Sequence, residues 1–345
     1  MTVIGYMKRS ALEGVLGDIS DKLEVIAPLP SGDNGAVELR RFEKGAQVSI
    51  GPVKPMLPLK TIFLPPVEQI FRFSKSENET IVTASTPITR DRVVFGALGC
   101  DIAALALIDE VFLREPVDET YKERRTRTTI VALACEGQGP ECFCASVGID
   151  PVRPGGADVV MIPVENGFIV ETITKKGEQL GKMLQGALRD PTGPQKKAAR
   201  SFTSTSRSDV DLTAPAGGWS AVWESEAWED ASARCIGCGI CTVVCPTCHC
   251  FDVHDERHGN GGERFRKWDS CMAVNFTMMA HGENPRPQHR ARVRQRYMHK
   301  LVYFPENHGA VACVGCGRCA VACPNRTGIG EVADRMRERE EDSNE

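Results

Sequence analysis

The sequence predicts two unlike parts, an α/β domain followed by a small cysteine-rich domain. Three observations carry that prediction. Short β-rich apolar runs alternate with helical spacing through residues 1–189. A Pro/Ser/Thr/Gly-rich stretch follows over 190–218. Eleven of the fifteen cysteines then fall after residue 230. A length of 345 residues suits about two domains.

Composition excludes several classes at the outset. Apolar residues at 41% and charged residues at 26% sit near the globular average, so neither disorder nor a fibrous repeat fits. The longest apolar-looking stretch, Val93 to Phe112, contains Asp101, Asp109 and Glu110, so no membrane span is expected. The opening MTVIGYMKRSALEGVLGD lacks the pattern of a secretory signal, and the chain is read as cytoplasmic. A net charge of -4 is too small to steer it toward nucleic acid or membrane.

In the first part, Val93 to Gly96 reads as a strand entering a loop at Cys100-Asp101, with a helix from Ala103 to Phe112. Thr129 to Ala134 and Asp158 to Pro163 read as strands bounded by turn residues. Gly167 to Thr174 alternates as another strand, and Lys175 to Leu188 has helical spacing. The stretch 190–218 reads as a linker or long surface crossing. No G-x-G-x-x-G follows these strands and no G-x4-G-K-[ST] occurs, so no site for dinucleotide or nucleotide phosphates is expected.

The second part, 219–330, is decided by its thiols. An odd cysteine count with no export signal argues against a disulfide framework and for metal ligation. Cys235-Ile-Gly-Cys238-Gly-Ile-Cys241-Thr-Val-Val-Cys245-Pro246 and Cys313-Val-Gly-Cys316-Gly-Arg-Cys319-Ala-Val-Ala-Cys323-Pro324 both read C-x2-C-x2-C-x3-C-P. That is the bacterial ferredoxin run for [4Fe–4S] clusters, and zinc sites instead separate two C-x2-C pairs by a spacer. Gly237, Gly239, Gly315 and Gly317 would let the loops turn and aim amide groups at sulfur. In two-cluster ferredoxins the fourth cysteine serves the other cluster, so the ligands are assigned crosswise. Cluster A takes Cys235, Cys238, Cys241 and Cys323; cluster B takes Cys313, Cys316, Cys319 and Cys245. The fold expected is a ferredoxin-like domain with two clusters.

Sixty-seven residues separate the two runs, a long insertion by ferredoxin standards. It holds a flexible turn at Gly259-Asn260-Gly261-Gly262, and a basic block from His281 to Lys300 with five arginines and one lysine against one glutamate. The block lacks interleaved aromatics beyond Tyr297, which argues against nucleic acid. It reads first as a solvated or salt-bridged helix face, with docking of an acidic partner or offset of cluster charge as the other reading. Carboxylates between Glu224 and Asp230, and the acidic tail (331–345) from Glu338 onward, read as solvated charge.

These motifs resemble a known family. The run CIGCGICTVVCPTCHCFD from Cys235 to Asp252, the segment Trp268-Asp269-Ser270-Cys271 and the stretch from Arg292 to Pro324 are similar to the β subunit of soluble sulfhydrogenases and to the corresponding iron–sulfur subunit of the anaerobic sulfite reductase. So are Phe95-Gly96, Cys100-Asp101-Ile102, Ala104-Leu105, Asp109, Cys135, Cys142-Phe143-Cys144 and Gly148. The likeness covers most of residues 60–330. The ferredoxin runs are generic; the C-P-T-C-x-C-F extension and the Cys-Phe-Cys pair are more specific. The resemblance implies an iron–sulfur electron carrier between a catalytic subunit and a flavin/NAD(P)-binding subunit. A sulfhydrogenase-type [NiFe] hydrogenase is the first reading, an anaerobic sulfite reductase the alternative, and an iron–sulfur sensor a minor one.

Seven cysteines remain. Cys100 and Cys135 each follow a predicted strand, and Cys142 and Cys144 lie in the loop after the second, so all four fall near one sheet edge, where ligands gather. They form a candidate third cluster, with ordinary buried cysteine as the opposing reading. Cys248, Cys250 and Cys271 could line cluster A, join an N-terminal cysteine in ligation, or simply pack. The histidines, including His249, His254 and His258, form no metal motif. No nucleophile–base pair stands out, and no catalytic site is expected in this chain.

Overall fold

The computed structural model describes residues 2–32, 35–51, 54–85, 88–137, 139–207, 209–214, 218–219 and 222–343, the last five as backbone only. Strands are β1 (Thr2–Lys8), β2 (Glu24–Ser31), β3 (Ala36–Arg41), β4 (Val67–Lys75), β5 (Thr80–Ala84) and β6 (Arg92–Ala97). They continue with β7 (Thr128–Leu133), β8 (Val159–Val164), β9 (Gly167–Thr172), β10 (Leu188–Arg189), β11 (Phe251–His258) and β12 (Gly261–Trp268). Helices are α1 (Leu12–Ser20), α2 (Lys60–Phe63), α3 (Gly99–Phe112), α4 (Glu119–Thr126), α5 (Lys175–Leu184) and α6 (Gly193–Arg200). Then come α7 (Ala227–Ala233), α8 (Ile240–Val243), α9 (His289–Met298), α10 (Phe304–His308), α11 (Arg318–Ala322) and α12 (Ile329–Ser343).

The chain divides into two compact units. The first comprises Met1–Leu59, Ile88–Val210 and Val314–Gly317; the second comprises Lys60–Pro87, Asp211–Cys313 and Arg318–Glu345. Residues 60–87 and 314–317 thus each join the unit that the sequence alone would not give them.

The first unit is the expected α/β domain. Its sheet runs β10-β1-β9-β8-β7-β6-β2-β3. The central strands β8, β7, β6 and β2 are parallel, while β1, β3, β9 and β10 pair antiparallel. Parallel strands covered on both faces should read as nearly unbroken apolar runs, and VVMIPV in β8 and TTIVAL in β7 do so. One face of the sheet packs Val25, Phe95, Val131, Met161 and Val170 against Leu12, Leu16, Leu180 and Leu184 of α1 and α5. Asp109 of α3 accepts hydrogen bonds from Tyr121 Oη at 2.6 Å and from Arg125 Nε and Nη2 at 2.8 and 2.7 Å, tying α3 to α4. This bidentate ion pair accounts for the Asp109 carboxylate in a largely apolar helix.

Two expectations are corrected here. Cys100 and Asp101 lie in the first turn of α3, not in a loop, because the helix starts at Gly99 directly after the strand. The stretch 190–218 contains α6, whose N-terminus is a reciprocal cap between Thr192 and Gln195 with Pro194 in the first turn. Low hydrophobicity hid that helix. Positions 208 and 215–217 of the stretch lie outside the described residues.

The second unit holds a four-stranded antiparallel sheet, β11-β12-β4-β5. β11 and β12 form a hairpin around Gly259-Asn260, where Gly259 adopts φ 56°. The buried pair Arg266–Glu68 joins β12 to β4. The tail is helical to Ser343, and α12 buries Val332, Ala333 and Met336, ahead of the charged stretch that begins at Glu338. Its apolar positions sit at helical spacing among charges, a pattern that composition alone conceals.

Candidate metal centres

The first ferredoxin run is a loop that ends in α8, and its geometry is set by glycine. Gly237 and Gly239 adopt φ 71° and 74°, and Gly239 forms the N-cap of α8. This brings Cys235, Cys238 and Cys241 around one pocket, into which Cys323 also projects, with Met272, Val293, Arg296 and Tyr297 among the other lining residues. The second run repeats the device with Gly315 and Gly317 at φ 60° and 71° and with α11 holding Cys319. Helices α8 and α11 pack against each other.

The pocket of Cys235, Cys238, Cys241 and Cys323 carries a strong electrostatic signal. Arg296 is buried, and its Nε has no hydrogen-bond partner. A buried guanidinium costs several kcal/mol unless an anion answers it. Four thiolates around an iron–sulfur core are anionic, so the donor set and the buried Arg296 cation fit such a group. Cys323 Sγ also lies 3.2 Å from Thr327 Oγ1.

Of the residues assigned to cluster B, Cys245 is buried beside Lys300. Lys300 Nζ stands 3.3 Å from Cys245 Sγ and donates to Thr247 Oγ1 and Ala312 O at 2.8 and 2.9 Å. Thr247 Oγ1 lies 3.2 Å from the same sulfur, mirroring Thr327 at Cys323. Burial opposes the Lys300 charge, but Cys245 and Cys248 beside it raise its pKa above the usual range, and Cys313 acts in the same direction. Cys319 lies within electrostatic reach of Cys241. Cys316 belongs to the first unit.

In that unit, Cys100, Cys135, Cys142 and Cys144 line one pocket together with Cys316, Lys54, Ser204 and Ser206. β6 and β7 are parallel neighbours, so Cys100 and Cys135 emerge at the same sheet edge. Cys100 gains the N-terminal end of α3. Lys54 Nζ donates to Cys142 Sγ at 3.1 Å and also to Cys316 O. Cys144 Sγ donates to Ser206 Oγ at 3.1 Å. Gly315 fits so tightly that a Cβ there would lie 2.5 Å from the Phe143 carbonyl carbon.

The basic block divides in two. Arg290 pairs with Glu229 at 2.9 Å and Arg294 with Glu224 at 3.4 Å, as a salt-bridged face would. Arg296 and Lys300 instead point inward and are each 3% exposed. The reading of the whole block as a solvated face is therefore corrected for these two residues, which sit among thiols. Nothing in the sequence marks Lys60. It is buried in α2, donates to Cys248 O and Thr242 O at 2.8 and 3.3 Å, and stands 4.1 Å from the Trp268 ring centroid. Burial pushes its pKa down. His299 falls to about 4, through burial and then the charges of His249 and Lys300. Thr247 and Thr327 had no signal beyond their place two and four residues after a ligand-type cysteine.

None of the fifteen cysteines is joined in a disulfide. Among the described residues no three His, Cys, Asp or Glu side chains converge tightly enough for a single metal ion. Zinc needs such convergence, whereas a cubane spreads its thiolates over four irons.

Comparison with known proteins agrees with this donor set. Residues 234–327, which enclose both runs and the segment between them, match a 4Fe-4S dicluster domain model. The β subunit of sulfhydrogenase 2 from Pyrococcus furiosus is 31% identical over 325 residues, covering 90% of this chain and 91% of that protein. The chain belongs to the sulfhydrogenase β-subunit family. As a member with a dicluster domain, it is an iron–sulfur electron-transfer subunit. No solved structure matches it. Among the described residues, no helix is long and apolar enough to cross a membrane.

Proposed function

We propose that this sulfhydrogenase β-subunit relative relays single electrons between the catalytic subunit of a [NiFe] hydrogenase complex and a flavin/NAD(P)-binding subunit. One observation carries the reading: Cys235, Cys238 and Cys241 line one pocket with Cys323, distant in sequence, and with the buried Arg296 guanidinium, whose Nε has no hydrogen-bond partner. Cluster A is proposed on those four residues. Cluster B is proposed on Cys313, Cys316, Cys319 and Cys245, by ferredoxin spacing and by the Lys300 ammonium at Cys245. A third cluster is proposed on Cys100, Cys135, Cys142 and Cys144, supported by their shared pocket and by Lys54 at Cys142.

Each centre supplies a one-electron couple. The protein's own part is to hold the thiolates, balance their charge with Arg296, Lys300 and Lys54, and tune them through Thr247 and Thr327. Cys238 and its neighbour Ile236 are exposed, which gives cluster A an edge at the surface for exchange with a partner. The P. furiosus relative is part of a sulfhydrogenase, which favours the hydrogenase complex over a sulfite reductase.

Anaerobic purification of the complex under native conditions tests this reading. A co-purifying nickel subunit together with a flavin subunit is the expected result. A sirohaem subunit in place of nickel would move the chain to the sulfite reductase branch, and a lone DNA-bound species would make it a sensor.

A further inference from the structure

Three cysteines remain outside those assignments, and they lie together. Cys248 and Cys250 precede β11, and Cys271 follows β12. The hairpin register ends on the Phe251–Trp268 pair, and Asp269 N then bonds Cys250 O at 2.9 Å. The hairpin thus returns the Trp-Asp-Ser-Cys segment to the Cys-Pro-Thr-Cys-His-Cys segment. The Cys250 and Cys271 thiols share a hydrogen bond, while the Cys248 thiol shares one with Cys245 and lies within electrostatic reach of Cys271.

Two buried lysines lie within electrostatic reach of Cys250 in this trio. Lys60 donates to Cys248 O and stacks on Trp268; Lys300 lies at Cys245. Among the described residues both bond carbonyls, a hydroxyl or sulfur rather than a carboxylate. One cluster on Cys245 would answer Lys300 but leaves Lys60 beside thiols that no cluster yet uses. Buried cations at a thiol trio call for an anionic occupant.

We infer that Cys248, Cys250 and Cys271 hold a further iron–sulfur centre, a cuboidal cluster on three thiolates. Three thiolates complete a [3Fe–4S] core, or hold a [4Fe–4S] core whose fourth iron takes a non-cysteine ligand. The centre would cycle by one electron, reduced as a neighbouring [4Fe–4S] centre is oxidised. A single zinc ion is disfavoured, since no three donors among the described residues converge on one point.

The test uses the full chain purified anaerobically, with iron and acid-labile sulfide assays and Mössbauer spectra. Cys250→Ala and Cys271→Ala should each lose about three irons for a [3Fe–4S] core or about four for a [4Fe–4S] core, with matching sulfide. Cys250→Ser, closer in size to the native residue, should lose the same number and guards against misfolding. The inference stands apart from the third cluster proposed above. A variant with Cys100, Cys135, Cys142 and Cys144 all changed to serine should still show three centres by native mass spectrometry, and two would overturn it. Unchanged iron in the Cys250 variants, stoichiometric zinc, or a Cys250–Cys271 disulfide in the anaerobic protein would overturn it equally.

Discussion

Lys300 Nζ lies 3.3 Å from Cys245 Sγ, with both residues buried and the ammonium otherwise bonded to a hydroxyl and a carbonyl. A cation so placed favours the reduced, more negative state of whatever cluster Cys245 ligates. Lys300→Met should therefore make that potential more negative, by roughly 60 mV per tenfold change in equilibrium. Lys300→Arg, which keeps the charge, should restore most of it. A potentiometric EPR titration reads both, and no shift in the Met variant would remove Lys300 from the charge balance.

Crosswise ligation makes a second prediction. Cys323→Ala should damage the cluster of Cys235, Cys238 and Cys241, although Cys323 follows Cys241 only after the whole inserted segment. Cys245→Ala should damage the other. Spectra in which Cys323→Ala removes only the cluster of Cys313, Cys316 and Cys319 would reverse the assignment.

Two glycines of like conformation should behave differently. At Gly237, φ is 71° but the nearest atom to an added Cβ is a His289 ring nitrogen at 3.6 Å, so alanine meets only backbone strain of about 1–2 kcal/mol. At Gly315 the same strain adds to a contact of 2.5 Å with the Phe143 backbone, and Gly315→Ala should cost about 3 kcal/mol or more. Gly315→Ala should also deplete iron from the pocket of Cys142 and Cys144. Thermal unfolding and iron assays of the two variants, side by side, test the contrast.

Asp109 anchors Tyr121 and Arg125 without touching any cysteine site. Asp109→Asn should lower stability by about 1.5–3 kcal/mol, the range for a hydrogen bond to a charged group, while iron content holds. Loss of iron in a folded Asp109→Asn protein would show a role beyond packing.

The sequence made some of this legible and hid the rest for physical reasons. The C-x2-C-x2-C-x3-C-P spacing is local chemistry, so the glycines at positive φ and the grouping of Cys235, Cys238 and Cys241 could be anticipated. The central strands could too, because burial on both faces leaves long apolar runs such as Val159–Val164. Helix α6 is hard to read because it is polar and its capping pair lies among turn residues. Lys60 is invisible in the sequence, since nothing local distinguishes a lysine that will be buried against backbone carbonyls more than 180 positions away. In the sequence Arg296 and Lys300 are only members of a charged block. Which residues of a basic helix turn inward depends on tertiary packing, and net charge carries no record of it.

The central claim is that this chain conducts electrons through at least two ferredoxin-type clusters. Low-temperature EPR of the anaerobic, dithionite-reduced full chain tests it most directly. Each [4Fe–4S] centre takes up one electron, so the spectrum should integrate to about two spins per chain or more, broadened by magnetic coupling between neighbouring clusters. A folded chain with no reducible iron–sulfur signal, or with a single isolated cluster, would contradict it.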